Sequence, residues 1–313
     1  MHRNELNSST NNSNDNNKKQ KIQNIILRQS YKRRLMDKIV SGFAILCVLV
    51  AIIPLGSILL EVIKNGGSAI SIQLLIQPPG AIGSAIGGIA PAIQGTLIVV
   101  GLASLIAVPI GVLTGIYLSE FASSNGLLPT AVRLFNDVLT GLPSVVIGIV
   151  GYLTIVLALG SFSVLAGAFS LSIIMMPIVV RITEETIKIV PNSLREAGYS
   201  LGISKFRVTF SIVMKSAKSG VLTGIVLAIS RIAGETAPLI MTILGTSLFF
   251  TSFTKPIDAL PLRIWRLASQ PYESAHSQGW GAALILMIMV VLLSAILKIL
   301  AQRKGFHVKT AHI

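Results

Sequence analysis

An all-α, polytopic membrane protein with six transmembrane helices is predicted by three features of this sequence. The 313 residues are 52% hydrophobic and only 12% charged, with a mean hydropathy of +0.76, too apolar for a water-soluble domain of this length. The apolar residues gather into six runs, at about 39–62, 91–118, 135–159, 161–181, 219–247 and 279–299. Each can cross a hydrocarbon layer of roughly 30 Å at about 1.5 Å per residue. The basic residues stand beside these runs rather than in a stripe interleaved with aromatics, so the net charge of +14 points to a bilayer and not to nucleic acid.

Residues 1–30 open with an Asn- and Ser-rich stretch too poor in apolar residues to order itself, and are expected to be a disordered cytoplasmic tail. Residues 31–90 supply the first transmembrane helix and an outer loop, residues 91–303 the core bundle, and residues 304–313 a second cytoplasmic tail. With both termini in the cytoplasm of a plasma-membrane protein, 21 of the 26 Lys and Arg fall on the inner side, as the positive-inside rule requires. Pro109, Pro143, Pro177 and Pro238 lie within runs and free carbonyls that only neighbouring helices or a wet interior can satisfy. The spacings Gly111 to Gly115 and Gly220 to Gly224 are read as close helix packing. Arg133 and Asp137, four residues apart, read as an interfacial pair at the start of the third run. The single cysteine, Cys47, excludes an internal disulfide.

The longest segment assigned to the inner side is 182–218. Pro191 closes the preceding helix, Ser193 and Glu196 have capping-box spacing, and Gly202 can end a helix of about two turns in the left-handed conformation. From local physics, a partner-docking knob and a plainly capped helix are equally good readings. The stretch REAGYSLG, with Ile212 ten residues beyond Gly202, resembles the EAA loop of ABC-importer permeases. Together with GGIAPAIQGTL, GLPSVVIG and LAISRIAGETAPLI, it is similar to the permeases of phosphate-specific ABC importers over about residues 30–303. The resemblance implies a type I importer (MetI-like) bundle, with Glu196, Ala197, Gly198 and Gly202 coupling it to an ATPase. Gly198 stands where the family pattern has a second Ala, still small enough for close contact. The implied partners are a homologous permease (PstC-like), cytoplasmic ATPase subunits (PstB-like), an extracytoplasmic phosphate-binding protein (PstS-like) and the lipid bilayer.

Arg231 and Glu235, four residues apart, fall in the middle of the fifth run. A charge near the bilayer midplane costs several kcal/mol unless paired or hydrated, so the pair is expected to face the interior. Gly234 weakens the helix and Pro238 cannot donate to its carbonyl, so GETAP is expected to bend or open there. Arg suits an oxyanion because its planar fork donates two parallel hydrogen bonds and stays charged. Glu235 would hold the empty guanidinium and compete with the anion. Arg181, at the inner end of the fourth run, is a snorkelling anchor by position and a second pathway residue by the resemblance.

The sequence contains no G-x-x-x-x-G-K-[ST], H-E-x-x-H or G-x-S-x-G element. No catalytic residue, metal site or cofactor is therefore expected, and energy for uphill transport must come from elsewhere. Half of an ATP-driven channel for phosphate or another oxyanion is the leading expectation. The alternatives are an autonomous proton-coupled transporter with Glu235 as carrier, and a non-transporting scaffold, for which a midplane Arg has no use.

Overall fold

In the computed structural model, residues 3–81, 87–123 and 126–303 are described, with side chains for those between 36 and 299. Internal contacts divide the chain into Met1–Glu61 and Val62–Ile313. The first unit is one helix, α1, whose full extent is Arg3–Ala69. From Met36 onward its apolar side chains, Phe43, Ile53 and Leu60 among them, are exposed, the coat that lipid-facing residues require. Helix continues back through the Asn-rich segment that composition predicts to be disordered.

In the second unit, α2 is Ile72–Ile76, capped by the Ser71 hydroxyl accepting from Leu74 N at 3.1 Å. Next, α3 is Ala90–Ile116 and passes into a π-helical turn at Tyr117–Phe121. Then come α4 (Leu127–Gly141), α5 (Ser144–Gly151), a π turn at Tyr152–Val156 and α6 (Leu157–Leu159). Helix α7 is Val164–Lys188, capped by Ser163. It leads to α8 (Asn192–Ser200), α9 (Lys205–Val208), a π turn at Thr209–Val213 and α10 (Met214–Ile232). The chain closes with α11 (Ala237–Thr242), α12 (Leu260–Ala268) and α13 (Glu273–Arg303). Beyond an isolated Leu244–Ile257 bridge, the described residues contain no β-structure.

Among the described residues, five helical stretches are each long and apolar enough to cross a membrane, and α4 with α5–α6 makes a sixth if the pair, bent by 103°, is counted as one span. The third run is thus not the single helix predicted. Leu142 and Pro143 are extended, with ψ of 135° and 136°, because proline disfavours helix in the residue before it and brings no N–H. The fifth helix begins earlier than its apolar run, at Lys205, and ends at Ile232.

Helix α7 is the centre of the bundle, with Leu171, Met175 and Val179 buried among Val99, Ala103 and Ile232. Both GxxxG pairs face it. A β-carbon on Gly111 would stand 2.8 Å from Val179, and one on Gly115 2.6 Å from Thr183. On a neighbouring stripe of the same helix, Gly220 lies against Thr186 and Gly224 against Ile182. Absent side chains let α3 and α10 close onto α7, the usual device of membrane helix pairs.

Candidate functional site

Arg231 occupies the last turn of α10, where helix carbonyls favour a cation. Its Nη2 is 3.6 Å from Glu235 Oε1, with the Arg side chain 57% exposed and the Glu 17%. That separation is an ion pair but longer than a hydrogen bond, so the planar fork keeps donors for another acceptor. Beyond Ile232 the helix stops: Gly234 N and Glu235 N turn back to Arg231 O and Ile232 O. It restarts as α11 with Pro238 in the first turn, where a missing N–H costs nothing. The GETAP segment is therefore a break between two helices rather than a kink within one. Gly224 sits on Ile182. Seven residues further along antiparallel α10, about 10 Å, places Arg231 level with the middle of α7.

Arg181 is not brought to Arg231. Its Nε pairs with Glu185 Oε1 at 3.0 Å, and both side chains are about 60% exposed. A polar cavity of about 160 Å³ beside it is lined by Arg133, Asn136, Asp137, Glu184 and Lys188 among others. Arg133 does not pair with Asp137, as its spacing suggests. Its Nε donates to Glu184 Oε1 at 3.0 Å and its Nη2 to Leu118 O at 3.1 Å, while Lys188 Nζ donates to the same Glu184 oxygen at 2.6 Å. The bend after α4 lays Arg133 along α7, and the largely buried Glu184 needs two cations more than an exposed Asp137 needs one.

The short helix of the segment 182–218 is α8. Pro191, not Ser193, stands at its N-cap, and no side chain caps it. The capping-box reading is therefore corrected: Ser193 lies one residue inside the helix, where its hydroxyl cannot serve the first turn. Gly202 has φ of +72°, the left-handed stop that a side chain would strain. Gly198 is buried, and a β-carbon there would meet Val208 at 2.8 Å and Ile212 at 3.2 Å. The loop pattern thus has a mechanical meaning, since Gly198, at the place of its second alanine, packs against its distant isoleucine. Opposite that contact Glu196 is exposed, and Ala197, Leu194 and Leu201 are exposed around the same short helix.

Sequence reasoning missed what the other two motifs do. A β-carbon on Gly148 of GLPSVVIG would stand 2.8 Å from Pro238 Cα, so that motif receives the GETAP proline. In GGIAPAIQGTL, Gln94 Oε1 accepts from Phe250 N at 3.0 Å and Thr96 Oγ1 from Leu260 N at 2.8 Å, fastening the segment between α11 and α12 to α3. In that loop Asp258 is fully buried, with Oδ1 2.6 Å from Arg266 Nη2 and Oδ2 3.9 Å from Arg263 Nη1. Burial pushes the Asp258 carboxyl above its ordinary range against the pull of both cations, and lowers Arg263. Trp265 between them is half exposed.

The family model for "Binding-protein-dependent transport system inner membrane component" matches residues 107–305. The chain belongs to that family. The matched part of the permease runs from α3 to α13 and contains Arg181, α8 and Arg231. Among relatives of this permease, the "Phosphate transport system permease protein PstA" of Yersinia pestis is 36% identical over 275 residues, 87% of this chain and 92% of the relative. The "Probable phosphate transport system permease protein PstA" of Methanocaldococcus jannaschii is 36% identical over 82% of this chain and 90% of its own. Solved structures of similar fold include the MetNI methionine ABC transporter in inward-facing conformations, with TM-score 0.58 and 15% identity over 68% of this chain and 94% of that one. A bacterial alginate ABC transporter has TM-score 0.59 and 14% identity over 90% and 99%. The permease fold is thus that of the importers, and the chain is an integral membrane protein.

Proposed function

We propose that this chain is the transmembrane permease subunit of an ATP-driven inorganic phosphate importer, forming half of the translocation pathway. The observation that carries the reading is likeness over nearly the whole chain to curated phosphate permeases from bacteria and an archaeon. The subunit is not an enzyme in itself: hydrolysis belongs to ATPase partners (PstB-like) docked on the exposed face of α8. A homologous permease (PstC-like) supplies the other half, and an extracytoplasmic phosphate-binding protein (PstS-like) delivers the ion. Both termini are cytoplasmic, with α4 and α5–α6 counted as one crossing.

Arg231 holds the passing anion. A guanidinium exposed at mid-bundle level cannot face hydrocarbon without a cost of several kcal/mol, which favours a water-filled passage or the second permease. Glu235 steadies the empty fork and keeps the anion's stay short. Arg181 lies about 10 Å nearer the inner side and is a second station. The test is phosphate uptake by the assembled complex in proteoliposomes. Arg231→Ala should abolish uptake while ATPase and second permease still co-purify; undiminished uptake would remove Arg231 from the pathway. Uptake driven by a pH gradient without ATP would instead assign a proton-coupled transporter.

A further inference from the structure

Where α3 reaches the inner side it passes into the π turn Tyr117–Phe121, and three cations from three other helices hold that turn. Arg195, on α8 beside Glu196, lays its fork on Glu120: Nη2 to Oε1 is 2.7 Å and Nε to Oε1 3.1 Å. The two side chains are only 14% and 4% exposed. The same guanidinium donates to Ile187 O, in the last turn of α7, at 3.0 Å and to Val190 O, two residues beyond that helix. Lys205 of α9 sits over the Phe121 ring, 5.4 Å from its centroid. Arg133 of α4 donates to Leu118 O and, by its Nε, to Glu184 of α7.

We propose that the Arg195–Glu120 fork is the joint through which a displacement of the ATPase-docking helix reaches the inner ends of α3 and α7, with Arg195 and Glu120 as positioning residues. A planar fork bonded on two sides transmits direction as well as load, unlike one flexible contact. It joins α8 to a π turn, whose looser hydrogen bonding lets a helix end shift without unfolding. Burial keeps the pair from being screened by salt. The inference rests on the importer reading for the identity of what docks on α8.

The test is a double-mutant cycle in the purified, reconstituted complex, reading phosphate taken up per ATP hydrolysed. Glu120→Ala and Arg195→Ala should each lower that ratio about tenfold, within the usual range of coupling between sites, while hydrolysis continues. The double variant should lower it no further. Arg195→Lys, which keeps charge but loses the fork, should also fall short of the unmodified complex. Multiplying effects, or an unchanged ratio, would overturn the joint. If the Ala variants fail to assemble, hydrogen exchange on the unmodified complex decides: amides of 117–121 and 192–200 should change protection together on ATP binding, and independent change overturns the proposal. Absence of ATP-driven phosphate uptake by the unmodified complex refutes the functional reading instead, and exchange still tests the joint.

Discussion

Arg231 and Glu235 lie four residues apart across the end of a helix, and the turn that follows Ile232 still leaves the carboxylate 3.6 Å from the guanidinium. Such pairs are legible because their partners are close in sequence. Glu120 and Arg195 are 75 residues apart and Arg133 and Glu184 are 51 apart, so no local period announces them, and Arg133 is misread from sequence for that reason. Gly202 is the opposite case, since a left-handed stop after two turns is written in the chain itself. At φ of +72°, Gly202→Ala should cost about 1 kcal/mol and loosen the end of α8. The expected result is a lower ratio of transport to hydrolysis at normal subunit abundance; an unchanged ratio would make the glycine a mere terminator.

Elements meet through the motifs rather than beside them. Composition and charge mark where helices cross, but the break between α4 and α5 comes from one Leu-Pro step, and the three π turns have no compositional mark. Gly148 under Pro238 predicts that Gly148→Val separates α5 from α11. Overpacking of this kind costs about 1–3 kcal/mol, readable as a lower midpoint of thermal unfolding in detergent, whereas Gly141→Ala, with open space around it, should be neutral. Between α11 and α12, the buried Asp258 carboxyl holds its proton more tightly folded than unfolded. Its burial therefore costs stability progressively as pH rises from the ordinary carboxyl range through the raised folded value. Asp258→Asn should remove that pH dependence and, by leaving two partly buried guanidiniums without a counter-charge, lower stability, by less than the roughly 3 kcal/mol of a fully buried broken pair. Unfolding midpoints measured across pH check both parts.

For the whole molecule, the proposed orientation makes a sharp forecast. In a Cys47→Ser background, a cysteine placed at His2 or Thr310 should react with a membrane-impermeant maleimide only from the cytosolic side, and one at Gln270 only from outside. Labelling of the two ends from opposite faces would mean that α4 and α5–α6 form a re-entrant hairpin and not a crossing. The bundle so oriented seats α3 and α10 on adjoining stripes of α7, each by its own pair of glycines. Like adjoining facets of one post, those stripes set the angle at which the two helices are mounted. A bulkier side chain at Ile182 should tilt α10, and one at Thr183 should tilt α3.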